Sequence, residues 1–314
     1  MTDKIILPGE KSGDYSLNWR KTFDFVFLSG WIGAFIILTI ATIILQPELF
    51  NQYFFFLYCF IKVLVISIMS FCSGLLCRHY CKVDEKGYIK TNKDSWFKVN
   101  YTRKVQHFAA YLVPLINLGD AGSEFHPVGV LHTIWESLLV LFVFLLLIKP
   151  IREHSRFFMI QFNSLDRPED RPNTLKWIVS GNILPGLILV IIFKQLFEQI
   201  NEEALVLIIV CIIGIGDGLA EPVGIYFGKK TYLAPSWFLK KRYVRSYAGS
   251  ACVFICSLII IALFYTHFNS TNQFILAMII IPPVITFVEA TAPHSMDTPI
   301  MMICGFVSLY LIAM

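Results

Sequence analysis

Gly214-Ile215-Gly216-Asp217-Gly218-Leu219-Ala220-Glu221-Pro222-Val223-Gly224 follows directly on the apolar run 204–215 and precedes another short apolar stretch, 223–227. Two carboxylates and a group of glycines therefore lie where the chain enters or leaves a membrane. Ionisable residues at such a position are costly and point to a functional site. Glycine lets the backbone turn sharply or approach a ligand closely.

The composition around this stretch sets the class. Of the 314 residues, 56% are hydrophobic and 15% charged, whereas a soluble domain carries about 25% charged residues. The expected fold is an all-α, polytopic membrane bundle forming one transmembrane domain, residues 23–314, after a polar N-terminal segment, 1–22. That segment has the wrong character for a signal peptide. Cysteines such as Cys59, Cys72, Cys252 and Cys256 sit in apolar runs. They read as small hydrophobes rather than disulfide partners. Cys77 and Cys81 are four apart but lack a second nearby ligand pair for zinc.

A spanning helix needs about 20 apolar residues. Spans are expected at 23–46, 52–77, 105–118, 128–148, 174–193, 204–216, 246–266, 273–290 and 299–314. The basic residues support this division. The N-terminal segment and the loops 78–104, 149–176 and 216–245 hold 24 of the 26 Lys and Arg residues. Lys194 lies on the opposite side and Lys62 inside a span. That alternation fits nine helices with a cytoplasmic N-terminus. It places Asp217 and Glu221 near the cytoplasmic face and reads the net charge of +4 as topology and lipid contact, not nucleic-acid binding. The sixth span is short: thirteen helical residues rise about 20 Å against a hydrocarbon core of about 30 Å. A broken helix at that depth is tolerated where it lines a polar cavity.

Several residue groups could serve such a site. Asp217 and Glu221 share a helical face and offer oxygens that suit Mg²⁺ held together with substrate phosphates. Gly216 and Gly218 could present backbone amides to phosphate. Lys229 and Lys230, then Lys240, Lys241 and Arg245, supply cations. The same residues also fit ordinary positive-inside decoration. Arg245 abuts Ser246 and Gly249-Ser250 at a helix start, a ready anion site. Arg103-Lys104-Val105-Gln106-His107 brings two cations and an imidazole to the third span, as phosphate contacts or as interfacial anchors. Glu289 and Asp297 flank a Lys- and Arg-free turn built on Pro293 and Pro299. His132 and Glu136 are four apart in the fourth span, as a metal or proton pair or as an interhelical hydrogen bond. Lys62 is expected to snorkel or to pair with such an acid.

Four segments, in order over 103–299, resemble the CTP-dependent polyprenol kinase family. That family includes dolichol, phytol and farnesol kinases and a CTP-dependent diacylglycerol kinase, and it is distantly similar to phosphatidate cytidylyltransferase. The segments are Arg103-Lys104-Val105-Gln106-His107; Gly216-Asp217-Gly218-Leu219-Ala220 running through Gly224 to Phe227-Gly228-Lys229-Lys230; Arg245-Ser246-Tyr247-Ala248-Gly249-Ser250; and Val288-Glu289-Ala290 with Asp297 following. Arg245 stands where the family usually has Lys, and Thr298 where it often has Asn.

The resemblance implies phosphoryl transfer from CTP to the hydroxyl of a membrane lipid, with a divalent cation. It implies catalytic roles for Asp217, Glu221 and His107. Nucleotide contacts fall to Arg103, Lys104, Gly216, Gly218, Lys229, Lys230, Arg245 and Ser246. Metal contacts fall to Asp217, Glu221, Glu289 and Asp297. The partners are a nucleotide and a lipid alcohol, and a homo-oligomer is compatible with the sequence. Nucleotidyl transfer to a phosphatidate, and a lipid transporter built around the same cavity, stand as alternatives.

Overall fold

The structure is a computed structural model that describes residues 5–6, 21–90, 97–116, 129–167, 170–235, 242–293 and 296–314. Most of the segment 1–22, the loop 119–127, Lys240, Lys241, His294 and Ser295 lie outside the described residues. In chain order the elements are β1 (Ile5–Ile6), α1 (Lys21–Leu45), α2 (Tyr53–Tyr80), β2 (Lys82–Val83), β3 (Ile89–Lys90), α3 (Val99–Leu112), α4 (Val130–Leu145), α5 (Lys149–His154) and α6 (Arg156–Asn163). There follow α7 (Thr174–Ile178), α8 (Leu184–Gln199), α9 (Val206–Cys211), α10 (Gly218–Phe227), β4 (Thr231–Pro235), β5 (Arg242–Ser246), α11 (Tyr247–Leu263), α12 (Thr271–Thr291) and α13 (Asp297–Ala313). π-helical turns at Val179–Ile183 and Ile212–Asp217 join α7 to α8 and α9 to α10.

Five helical stretches among the described residues are long and apolar enough to cross a membrane: Thr22–Leu45, Tyr53–Tyr80, Thr174–Gln199, Glu203–Phe227 and Thr271–Thr291. Three shorter apolar helices are Val130–Leu145, Tyr247–Leu263 and Asp297–Ala313. Of the segment expected at 105–118, the part up to Leu112 belongs to α3, which starts at Val99 and carries Asn100, Arg103, Lys104, Gln106 and His107, and 117–118 lie outside the described residues. It is not among the apolar helices. All eight cysteines are free thiols.

The chain forms two compact units. In the unit Asp14–Val179, Leu38, Leu49, Phe55, Cys59, Trp135 and Leu138 make one apolar cluster. Its polar atoms are satisfied internally: the Trp135 indole donates to Thr42 Oγ1 and that of Trp31 to the Leu138 carbonyl, both at 2.9 Å. Lys62 of α2 forms an ion pair with Glu136 of α4 at 2.5 Å and donates to the Pro114 carbonyl at 2.8 Å. His132 meets Gln52 at 2.8 Å. The expected pairing of Lys62 is present, and His132 is hydrogen-bonded, to the residue that precedes α2.

The second unit comprises 1–13 and Ser180–Met314. Its helices pack through small residues. At Gly305 an added Cβ would lie 2.8 Å from Ile285 Cδ1 and 3.0 Å from Ile209 Cδ1, so α13 closes on α12 and α9. Phe193 stacks on Phe306 at 4.7 Å. Ser246 caps α11 by accepting from the Gly249 amide at 3.0 Å, and Ser270 caps α12 by accepting from Gln273. Such side-chain acceptors satisfy donors that a helix start leaves open. A three-stranded sheet, in the order β1-β5-β4, precedes α11.

Two sequence expectations are corrected here. The sixth span does not end at residue 216, and the run from 216 is not a loop. Glu203–Phe227 is one continuous helical stretch of 25 residues, in which Gly218 keeps right-handed helical dihedrals (φ −55°, ψ −43°). Pro222 is accommodated within α10. At about 1.5 Å per residue, Asp217 lies about 15 Å inside the end at Phe227. The remainder of 216–245 is a β-ribbon, β4 paired with β5, with Tyr232 opposite Arg245 and Thr231 opposite Ser246.

Candidate functional site

The second unit brings three of the sequence-designated residues together around a fourth, Arg245. The Arg245 Nη1 lies 3.2 Å from Glu289 Oε1, and its Nη2 donates to the Glu289 backbone carbonyl at 3.0 Å. Burial alone would lower the Arg245 pKa. The negative charges of Glu289, Asp297 and Asp217 outweigh it and hold the guanidinium above its usual value. Asp217, Glu289 and Asp297 are all buried. One cation thus faces three acidic side chains supplied by the π turn before α10, the end of α12 and the start of α13. Arg245 also retains a buried Nε with no hydrogen-bond partner. A buried donor without a partner calls for an acceptor.

Close packing explains most of the glycines. An added Cβ on Gly228 would fall 2.1 Å from the Gly224 carbonyl oxygen and 2.7 Å from Ser246 Cβ; one on Gly224 would fall 2.7 Å from Ser246 Oγ; one on Gly249 would fall 2.9 Å from the Ala220 carbonyl oxygen. Gly224, Gly228 and Gly249 therefore seat Ser246 between α10 and α11, which brings the Gly216–Lys230 and Arg245–Ser250 segments into contact. Gly216 differs, since its added Cβ would come no closer than 3.6 Å to Cys256. The expectation that Gly218 presents a spare amide is corrected: its N–H bonds to the Ile215 carbonyl within the helix. Ser246 serves as a helix cap. Lys229 and Lys230 are exposed.

Glu221 stands one turn beyond Asp217 and is half-buried. Among the described residues, no group of three or more His, Cys, Asp or Glu side chains is placed to hold a metal ion. Asp217, Glu221, Glu289 and Asp297 thus form no closed cage. Their chemistry still fits Mg²⁺, which takes one or two carboxylates and completes its shell with water and substrate phosphate.

The remaining designated residues belong to the other unit. Arg103 is ion-paired with Asp170 at 2.5 Å, and Arg167 grips the same carboxylate through Nε at 2.8 Å and Nη2 at 3.1 Å. The His107 ring lies against Tyr111 at 4.8 Å, and Lys104 is half-buried. Beside them Arg171 and Thr174 bind the fully buried Asp166, the former through Nε at 2.8 Å, the latter at 3.0 Å. Burial raises the Asp166 pKa against the opposing pull of Arg171. Sequence reasoning overlooked Asp166 and Asp170, having counted their loop for its basic residues. The charge-dense run Asp166-Arg167-Pro168-Glu169-Asp170-Arg171 was the available signal. It overlooked Tyr232 as well, whose hydroxyl meets Ser250 Oγ at 2.6 Å.

Compared with known proteins, the chain matches no family model, no curated protein and no solved structure. The resemblance noted from sequence rests on its motifs alone.

Proposed function

We propose that this chain is an integral-membrane lipid kinase that transfers the terminal phosphoryl group of CTP to the hydroxyl of a lipid alcohol, such as a polyprenol, a phytol-like isoprenoid or diacylglycerol. The observation that carries the reading is Arg245: half-buried, faced by Asp217, Glu289 and Asp297, and holding a buried Nε with no partner. A phosphate oxygen is the acceptor such a donor fits, and Arg binds phosphate in forked geometry. Two further supports are the Ser246 seat, which joins two of the four motif segments, and the long apolar helices that give a lipid access.

In this reading Arg245 and the exposed Lys229 and Lys230 hold the polyphosphate. Asp217 accepts the proton as the lipid oxygen bonds to the terminal phosphorus and the bond to the CDP oxygen breaks. Asp217 and Glu221 are the carboxylates that would hold Mg²⁺, whose part is to neutralise phosphate charge. Glu289 and Asp297 keep Arg245 charged and oriented. Arg103, Lys104 and His107 lie in the other unit, where Arg103 is held by Asp170, and the roles expected for them rest on the resemblance alone. The nucleotide side is assigned to the cytoplasm.

The test is incubation of the purified protein with Mg²⁺, a panel of lipid alcohols and CTP labelled at the γ- or the α-phosphate. Lipid labelled from the γ-position only is expected. Labelling of a phosphatidate from the α-position would instead make the chain a nucleotidyltransferase. CTP left intact with every lipid would overturn both and leave a carrier. Asp217→Asn should abolish turnover with an unchanged melting temperature, and an active variant would remove Asp217 from this role.

A further inference from the structure

Tyr232 stands beside Arg245 but has no part in the reaction described above. The two residues are directly opposite each other in the β4–β5 pairing, so their side chains project from the same face of the ribbon. The alternate residues of β4, Thr231 and Leu233, are exposed, which makes theirs the outer face. From the inner face the Tyr232 hydroxyl reaches α11, where it meets Ser250 Oγ at 2.6 Å. Its ring lies against Tyr247 at 4.9 Å. The hydroxyl is close enough to Arg245 and Glu289 to feel both charges.

Two hydroxyls hold two protons between them. One proton bridges the gap between Tyr232 and Ser250, and the other has no acceptor among the described residues. Arg245 is in the same condition: its Nη1 and Nη2 are engaged by Glu289, and its Nε has no partner. One face of the ribbon thus carries two unused donors, an N–H and an O–H, on side chains that stand next to each other. Tyr232, Arg245 and Ser250 are each half-buried, so the place borders on solvent. Burial raises the Tyr232 pKa, with Ser250 and Arg245 opposing the rise and Glu289 adding to it. The phenol therefore keeps its proton through neutral pH and is a donor there.

A phosphate group fits two such donors, because its several oxygens are all strong acceptors. We propose that Tyr232 is a nucleotide-binding residue whose hydroxyl, oriented by Ser250, donates to the same phosphate group that Arg245 Nε holds. Ser250 donates across the gap to the phenol oxygen and leaves the phenol proton for the ligand. A hydroxyl adds a hydrogen bond to the subsite without adding charge beside Asp217, Glu289 and Asp297. The inference rests on the phosphotransferase reading and extends it to a residue outside the motifs, since Tyr232 falls between the segment that ends at Lys230 and the one that begins at Arg245.

The test is equilibrium binding of CTP and of inorganic tripolyphosphate, each with Mg²⁺, to the full-length protein in detergent, without lipid, so that no turnover is needed. Tyr232→Phe should weaken both ligands about 10-fold or more, because a hydrogen bond to a charged group is lost. Ser250→Ala keeps the phenol but not its orientation and should weaken both by less. Ser250→Thr restores a hydroxyl and should bind as the wild-type protein does. A hydroxyl pair that only pins β4 to α11 would lower the melting temperature of the free protein and leave both affinities unchanged, which overturns the proposal. Loss of CTP affinity with tripolyphosphate affinity kept also overturns it, by moving the hydroxyl to the nucleoside. If Tyr232→Phe fails to accumulate, Ser250→Ala decides, and unchanged affinity for both ligands overturns the proposal. In these cases wild-type binding stands and the kinase reading with it. A wild-type protein that binds neither ligand overturns that reading and the role of Tyr232 together.

Discussion

Arg245 and Glu289 meet twice, once through the carboxylate at 3.2 Å and once through the Glu289 backbone carbonyl at 3.0 Å. The two contacts respond differently to substitution. Glu289→Gln removes a charge but leaves the backbone carbonyl in place, whereas Arg245→Ala strips the counterion from three buried acids. Breaking a buried pair by removing one partner costs about 3–5 kcal/mol. Arg245→Ala should therefore lower stability by about that much, and Glu289→Gln by clearly less. Arg245→Lys should fold better than Arg245→Ala while losing the Nε donor. Thermal unfolding combined with CTP turnover separates the two roles of Arg245: a lysine variant with full activity would show that Nε does not hold phosphate.

The glycines of the 216–230 segment are not equivalent. Gly228→Ala forces a Cβ to 2.1 Å from a backbone oxygen, which no rotamer relieves. Overpacking costs about 1–3 kcal/mol or more, so this variant should lose several degrees of melting temperature or fail to accumulate. Gly216→Ala meets only ordinary contacts at 3.6 Å and gains helix propensity. It should be neutral, or stabilising by up to about 1 kcal/mol. Comparison of expression and melting for the pair decides the point, and equal behaviour would contradict the packing described.

How much of this was legible in the sequence depends on whether the cause was local. The long helices follow from apolar runs, and five stretches long enough to span a membrane lie where those runs are. The continuation through Gly216, Gly218 and Pro222 was not legible. Glycine and proline read locally as breaks, whereas in the fold Gly216 packs on Val253 and Cys256 of α11 and Ala220 on Gly249. The gathering of Asp217, Glu289 and Asp297 around Arg245 was anticipated as a shared role, because all four stood out as ionisable groups beside apolar segments. The partnership of Arg103 with Asp170 was not, since pairing between residues 67 positions apart has no signature in spacing. The burial of Gln106 and Gln161 was not legible either, since burial is a property of the packed state.

Lys62 and Glu136 join α2 to α4 through one ion pair, with the Lys62 ammonium also held by the Pro114 carbonyl. Ionisable groups at such depth are tolerated as pairs. Lys62→Met alone should strand Glu136 and lower stability by about 3 kcal/mol or more. Lys62→Met combined with Glu136→Leu should recover most of that loss, because replacing both partners by apolar groups of similar size is often neutral. The double-mutant cycle measures the coupling. A double variant as unstable as the worse single would show that the pair does more than balance charge.

Tyr88 gives a pH signature confined to the polar part of its unit. Its ring is buried, and its hydroxyl meets Glu153 at 3.0 Å and accepts from Arg152 Nε at 3.3 Å. Burial, opposed by the Arg152 charge and aided by Glu153, pushes the Tyr88 pKa from 10.0 up to about 12. Above pH 10 the unfolded chain releases this proton while the folded chain keeps it, so protons favour the folded state. The stability associated with Tyr88 is therefore intact below pH 10 and falls as pH rises from 10 to 12. Two pKa units correspond to about 2.7 kcal/mol; solvent screening reduces this to roughly 1–2 kcal/mol. Tyr88→Phe loses two hydrogen bonds and should be about 1 kcal/mol less stable at pH 7. Lacking the titration, it should close that gap, or reverse it, by pH 12. Melting temperatures of the two proteins measured from pH 7 to 12 give the answer, and parallel curves through that range would show that the Tyr88 hydroxyl titrates as it does in water.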